Sequence, residues 1–134
     1  MTTSDRGSVR TASSSAQRTI GLSAGIGAWL LVSGVFFTGT GWIVIHNVLV
    51  GGAIAVTASY AAAFPNGSPI PVPSVAARVV AVLLGLWTIA SAFVFDPVGI
   101  LFWNNLLVGA AVTVLGAASV YTSQQTADVS STTT

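Results

Sequence analysis

The sequence predicts an all-α membrane protein in which four transmembrane helices form two tandem, parallel-related helical hairpins. Of the 134 residues, 53% are hydrophobic and only 5% are charged, whereas a soluble domain carries roughly 25% charged residues. Long stretches carry no charge, and the apolar region contains the same pattern of residues twice. Together these observations indicate one lipid-embedded domain built from a duplicated unit.

The composition also excludes several functional classes. A mean hydropathy of +0.85 indicates that lipid surrounds most of the chain. The net charge of +1 leaves no basic patch that could neutralise phosphates, so nucleic acid is not expected as a partner. Because the chain contains no cysteine, disulfide bonds, thiolate metal sites and cysteine nucleophiles are absent.

The charged residues limit where the membrane spans can lie. A spanning helix needs about 20 predominantly apolar residues. The uncharged stretch 19–77 has room for two such helices, while 79–95 and 97–127 have room for one each. The charged residues are Asp5, Arg6, Arg10, Arg18, Arg78, Asp96 and Asp128.

The first repeat unit is a helical hairpin over residues 19–63. Its helices, at 19–37 and 42–63, are separated by the Thr-Gly-Thr-Gly sequence of residues 38–41, which is typical of a tight turn. The preceding residues 1–18 are rich in Ser, Thr and Arg and have few apolar side chains. We therefore expect them to form a disordered cytoplasmic tail.

The second repeat unit is a hairpin over residues 74–121, with the turn sequence Asp-Pro-Val-Gly at residues 96–99. Residues 64–73 connect the hairpins and contain four prolines, which remove backbone donors and disfavour helix before them. We expect an extended connector outside the hydrocarbon. The polar residues 122–134 are expected to form a second disordered tail.

The two hairpins align without a gap at an offset of 58 residues. Chance rarely places tryptophan, serine, asparagine and several glycines in one register, so we interpret the alignment as an internal repeat. Matching pairs include Gly27 with Gly85, Trp29 with Trp87, Ser33 with Ser91, Asn47 with Asn105, and Gly51 with Gly109.

The arginines predict how the chain lies in the cell membrane. Arg6, Arg10 and Arg18 precede the first helix, Arg78 begins the third, and the two short turns contain no Arg or Lys. By the positive-inside rule, both termini and the proline-rich connector are cytoplasmic. We expect Arg78 to snorkel to the inner interface. Since both hairpins enter from one side, their pseudo-symmetry axis runs along the membrane normal.

Six polar side chains are predicted to lie at one level, about 9 Å below the outer turns at a rise of 1.5 Å per residue. In each repeat an asparagine and the glycine four residues later share a helix face, which suits close packing and hydrogen bonding across helices. The members of this polar layer are Ser33, His46, Asn47, Ser91, Asn104 and Asn105.

The polar layer has two interpretations. In the first it is a hydrogen-bonded seam that sets how the hairpins dock, because an unpaired amide buried in lipid is costly. In the second it is a site for a small polar ligand or ion, with His46 as its titratable member. Asn104 is the repeat counterpart of His46, and an uncharged amide in the matching place favours the structural interpretation.

Three other residues carry local predictions. Trp29 and Trp87 lie near mid-membrane, where we expect each indole N–H to bond a neighbouring helix, with cofactor stacking as the alternative. Asp96 precedes Pro97, a pair typical of a helix start with the aspartate as N-cap.

The segments Trp87–Phe93 and Phe102–Gly109 resemble the SPW repeat family of small integral membrane proteins. In that family, a helix carrying a tryptophan and then a Ser-Pro-Trp-like triplet pairs with a helix that opens on Trp-Asn. Trp29–Val35 and His46–Gly51 follow the same plan, and the likeness covers roughly residues 22–121. The corresponding triplets of this chain, residues 33–35 (Ser-Gly-Val) and 91–93 (Ser-Ala-Phe), keep the serine but lack the proline and the tryptophan. The resemblance implies a four-helix membrane protein of prokaryotic type without an established activity.

The remaining inventory of reactive groups is small. With one histidine, no Cys, Glu or Lys, and no Asp within the predicted helices, acid–base catalysis and metal ligation have few groups to use. We expect a non-enzymatic protein without cofactor or metal, which acts in the lipid bilayer through helix–helix packing with its own copies or with another membrane protein. The alternative is a small transporter or channel subunit that uses the polar layer.

Overall fold

Four long helices make up the structure, a computed structural model that describes residues 3–37, 41–65, 69–97 and 99–132. The helices are α1 (Thr3–Phe37), α2 (Trp42–Ala63), α3 (Ser74–Val94) and α4 (Ile100–Ser131). Each contains a stretch that is long and apolar enough to cross a membrane. The predicted fold class, an all-α membrane protein with four transmembrane helices, is confirmed.

The helices form a ring in chain order, because α1 and α3 each pack against both α2 and α4. Apolar side chains fill the ring in two groups. One group, at the end where α3 begins, includes Ile20 and Ala58 and consists mainly of alanines. The other, nearer the middle, includes Leu30 and Ile54.

Glycines bring the backbones of neighbouring helices into contact. A Cβ atom added to Gly27 would lie 2.7 Å from the backbone nitrogen of Ala55, and one added to Gly51 would lie 2.7 Å from the carbonyl oxygen of Gly27. In the second half, a Cβ atom added to Gly109 would lie 2.8 Å from the carbonyl oxygen of Gly85. Since any side chain would collide there, small residues set the spacing of α1 with α2 and of α3 with α4.

Both ends of the chain differ from the predicted disorder. Helix α1 already begins at Thr3 and α4 ends at Ser131, so residues 3–18 and 122–131 are helical. Near the C-terminus, threonine hydroxyls donate to carbonyl oxygens one turn earlier, which gives these polar side chains partners within the helix. Composition alone does not reveal this, because extending a helix that the membrane span has already nucleated is far easier than starting one.

The connector folds back on the end of α2. The phenol of Tyr60 donates to the carbonyl oxygen of Val72 at 2.8 Å, and the hydroxyl of Ser74 donates to the carbonyl oxygen of Pro65 at 3.2 Å. These two bonds tie the start of α3 to the end of α2. Residues 66–68 of the predicted connector lie outside the described residues.

The turn before α4 corrects the predicted N-cap role of Asp96. Helix α4 starts at Ile100 with Gly99 in the N-cap position and no side-chain cap. Asp96 has a φ of +42°, the left-handed conformation that ends a helix, so it terminates α3. Aspartate tolerates this conformation better than most residues other than glycine. Residues 38–40 of the other predicted turn lie outside the described residues.

Candidate functional site

Asn47 of α2 and Asn105 of α4 meet inside the bundle, across its diagonal. The Nδ2 of Asn47 donates to the Oδ1 of Asn105 at 2.9 Å, and the Nδ2 of Asn105 donates to the Oδ1 of Asn47 at 3.1 Å. Both side chains are fully buried. Each amide thus has a partner for its donor and its acceptor, as a polar group in an apolar interior requires. The pair holds α2 and α4 together.

The two serines of the layer are satisfied within their own helices. The hydroxyl of Ser33 donates to the carbonyl oxygen of Leu30 at 2.9 Å, and that of Ser91 donates to the carbonyl oxygen of Thr88 at 2.7 Å. Both serines are fully buried. Each hydroxyl therefore bonds a carbonyl oxygen one turn earlier, a common arrangement for serine within a helix.

Asn104 joins α4 to α1. Its Oδ1 accepts a hydrogen bond from the indole Nε1 of Trp29 at 3.0 Å, and its Nδ2 donates to the Oγ of Ser33 at 3.0 Å. The expectation that each mid-membrane indole N–H bonds a neighbouring helix is confirmed for Trp29, whereas Trp87 makes no such bond to a described residue. One amide therefore connects two polar side chains of α1 at the level of the central pair.

His46 occupies the matching place in the other half but makes different contacts. Its Nδ1 lies 3.1 Å from the Oδ1 of Asn47, which already accepts a bond from the opposite amide, so Nδ1 carries the proton and donates. The imidazole centroid lies 5.0 Å from the ring of Phe95 and 6.1 Å from that of Trp87. In this tautomer Nε2 is an acceptor, and it is buried without a hydrogen-bond partner among the described residues.

The six predicted residues thus form three separate hydrogen-bonded groups. The central amides bond each other and Asn47 also bonds His46, Asn104 bonds Trp29 and Ser33 of α1, and Ser91 bonds the backbone of its own helix. In the described part of the chain, no three His, Cys, Asp or Glu side chains come together in a group that could hold a metal ion.

A groove of about 900 Å³ runs between α1 and α4 on the outside of the bundle. Its lining includes Arg18, Gly21, Gly25, Trp29, Asn104 and Leu107. Asn104 is the one member of the polar layer that lines it. A water path through the layer would need the central amides to face a cavity, whereas here they are buried and paired with each other.

Sequence reasoning missed a second set of buried polar residues, at the end of the bundle where α3 begins. Arg78 is 2% exposed and Ser119 is fully buried. The prediction that Arg78 snorkels to the interface did not anticipate that the bundle encloses its side chain. The repeat contained the signal: Arg78 is the counterpart of Ile20, a residue of the apolar core.

A family model described as the SPW repeat domain matches residues 17–119. The matched segment covers most of the chain and includes all six residues of the polar layer. The match confirms the resemblance inferred from the tryptophan, serine and asparagine pattern. No curated protein and no solved structure matches the chain.

Proposed function

Since the chain belongs to the SPW repeat domain family, we propose that this small multi-pass membrane protein is not an enzyme and acts by packing its helices against another membrane protein or a second copy of itself. We further propose that it lies in the cell membrane with both termini in the cytoplasm. The membrane assignment itself follows from the family and the four apolar helices.

The reciprocal bonds between Asn47 and Asn105 are the main support for a packing role. Both amides are fully buried and bonded to each other, so a substrate could reach them only if the bundle opened. The surfaces left for contact are the lipid-facing sides of the helices. On α4, Ala110 and Ala117 are exposed two turns apart, and small residues allow a second helix to approach closely.

The described polar groups also support a non-enzymatic role. The Nδ1 of His46 is engaged with Asn47, Asp96 lies in a turn, and Asp128 is exposed near the end of α4. These groups lie on different elements, and acid–base catalysis needs at least two of them close to one substrate.

The proposed orientation rests on the arginines. Arg18 and Arg78 lie at the end of the bundle opposite the turn at residues 95–99, which contains no Arg or Lys. A topology reporter inserted in the turn at 38–41 is expected to read as extracytoplasmic. A cytoplasmic signal from that turn would reverse the orientation.

Photo-crosslinking in native membranes tests the packing role. A photo-reactive amino acid at the exposed Ala117 is expected to capture a second copy or one defined membrane protein. The matched control is the same amino acid at Val112, which is fully buried on the same helix and should give only intrachain products. Capture of lipid alone at Ala117 and at exposed positions on the other three helices would contradict the proposal.

The alternative of a small transporter or channel subunit has one supporting observation, the unpartnered Nε2 of His46. A buried imidazole that can take a proton is a recurring component of proton pathways. Vesicles loaded with a pH-sensitive dye distinguish the two roles. Protein-dependent proton flux that disappears in His46→Asn would favour transport, and flux equal to that of empty vesicles would favour packing.

A further inference from the structure

Arg78 places a guanidinium inside an apolar bundle, without a counter-charge among the side chains that the structure describes. Its side chain is 2% exposed, and its Nε has no hydrogen-bond partner among the described residues. Charged groups within membrane helices are costly and are almost always paired, either within the protein or with a ligand. An arginine enclosed in this way therefore requires an explanation.

The carboxylates with described side chains lie away from Arg78. Asp96 is in the turn at the opposite end of the bundle, and Asp128 is exposed nine residues beyond Ser119. Among the side chains that the structure describes, none supplies Arg78 with a counter-charge, and a ligand could supply it.

The first repeat shows what the same positions contain when no charge is present. Ile20 and Ala61, the counterparts of Arg78 and Ser119, are both fully buried. These positions thus face the interior in both halves, and apolar side chains fill them in one. In the second half both differences, isoleucine to arginine and alanine to serine, add hydrogen-bond donors.

The register of α3 and α4 brings Arg78 and Ser119 to one level. A Cβ atom added to Gly116 would lie 2.7 Å from the Cγ2 of Val82, so these two residues face each other. Because α3 and α4 run antiparallel, Arg78, which is four residues before Val82, lies level with the residue about four positions after Gly116. Ser119 lies at that level, and its Oγ is also buried without a partner among the described residues.

The depth of Arg78 indicates which anion can reach it. Arg78 lies four residues after the start of α3 at Ser74, about 6 Å along the helix axis. Helical side chains lean towards the N-terminus of their helix, so the guanidinium extends towards the membrane surface at which α3 begins. Lipid phosphates and dissolved anions are both present at that surface.

We propose that Arg78 and Ser119 bind a phosphate group that enters the bundle from the end where α3 begins. The guanidinium donates two parallel hydrogen bonds to the phosphate oxygens and neutralises its charge, and the Ser119 hydroxyl donates a third. The phosphate belongs to the headgroup of an anionic phospholipid or to a free anion. The site goes beyond the proposed packing role and does not depend on it.

Thermal unfolding of the full chain tests the site in two arms. In lipid-free detergent, inorganic phosphate is titrated against chloride at constant ionic strength; in nanodiscs, phosphatidylglycerol is compared with phosphatidylcholine. A ligand that binds the folded state raises the unfolding temperature in a saturable way. A rise in the first arm identifies a free anion and a rise in the second identifies a headgroup, whereas no rise in either arm overturns the proposal.

Three variants locate the effect. Arg78→Ile copies Ile20 and is expected to abolish the rise, while Ser119→Ala copies Ala61 and is expected to shift half-saturation to higher concentration. Arg18→Ile removes an exposed arginine at the same end and is expected to keep the rise. A rise that survives Arg78→Ile, or an equal loss in Arg18→Ile, overturns the site. If Arg78→Ile does not fold, Arg78→Lys is the second variant, and undiminished phosphate binding there overturns the bidentate contact.

Discussion

Asn104 and His46 occupy matching positions in the two halves of the bundle, but they differ in how fully they are bonded. Asn104 bonds both Trp29 and Ser33, whereas His46 bonds Asn47 and keeps Nε2 unpartnered among the described residues. The backbone contacts of the two halves are alike, because glycines 58 residues apart meet their neighbouring helices in the same way. Glycine contacts are therefore the constrained part of the repeat, and individual polar side chains can diverge around them.

The two halves differ in the same manner at the end of the bundle where α3 begins. Ile20 fills its place with an apolar side chain, and Arg78 fills the matching place with a charged one. Both are enclosed by the same ring of helices. The shared geometry shows that the bundle sets which positions are buried, while the residue at each position sets the chemistry found there.

The largest expected effect is at the glycines where the backbones of neighbouring helices touch. It tests how little space these contacts leave for a side chain. Gly51→Ala and Gly109→Ala should each destabilise the bundle by about 1–3 kcal/mol or more, because the new methyl group collides with a neighbouring backbone. The control is Gly52→Ala, where the added Cβ would lie 3.6 Å from the Cδ1 of Leu31, an ordinary contact. Unfolding in a denaturing detergent measures both. Unequal costs for the two contact glycines would show that the halves are not packed alike.

The next effect concerns the amides that both halves share. Asn105→Leu should cost about 1–2 kcal/mol, because it leaves Asn47 buried without its partner. The double variant with Asn47→Leu should cost less than the sum of the two single variants, since each single variant leaves one amide of the pair unpaired and the double variant leaves neither. A double-mutant cycle on the same unfolding assay measures this. If the cost of the double variant equals the sum of the two single costs, the two amides do not stabilise each other.

Exchanging the residues at positions 46 and 104 tests directly how the two halves of the bundle differ. His46→Asn makes the first half like the second and should stabilise the protein by up to about 1 kcal/mol, because it removes a buried acceptor without a partner. Asn104→His should destabilise by about 1 kcal/mol, because one of the two bonds to α1 is lost. Thermal unfolding of both variants checks the signs. Destabilisation by His46→Asn would indicate that the imidazole has a partner from outside the chain.

The smallest expected effect lies in the turn that ends α3. Asp96→Gly should stabilise the protein by a few tenths of a kcal/mol up to about 1 kcal/mol, because glycine adopts a positive φ without strain. Asp96→Ala should destabilise it slightly, since alanine tolerates that conformation less well than aspartate. Calorimetry in detergent gives both values. Stabilisation by alanine would count against the left-handed conformation of residue 96.

Some side-chain contacts could be predicted because the repeat supplies long-range information. The offset that aligns Asn47 with Asn105 implies two like residues at one depth, and two like amides can satisfy each other. The bond from Trp29 to a neighbouring helix followed from an indole at mid-membrane. The role of Asp96 was predicted wrongly and the burial of Arg78 was missed, because each residue was assigned from its nearest neighbours in the sequence.

The sequence by itself determined that the chain lies in lipid, that four helices cross it, and which residues of the two halves correspond. These properties depend on hydrophobicity, spacing and repetition, all of which are visible in the order of the residues alone. Only the tertiary structure decided that Asn104 reaches α1, that His46 keeps an unpartnered nitrogen and that Arg78 is enclosed. Those outcomes depend on how each helix is rotated about its own axis, and that rotation is set by the packing of all four helices together.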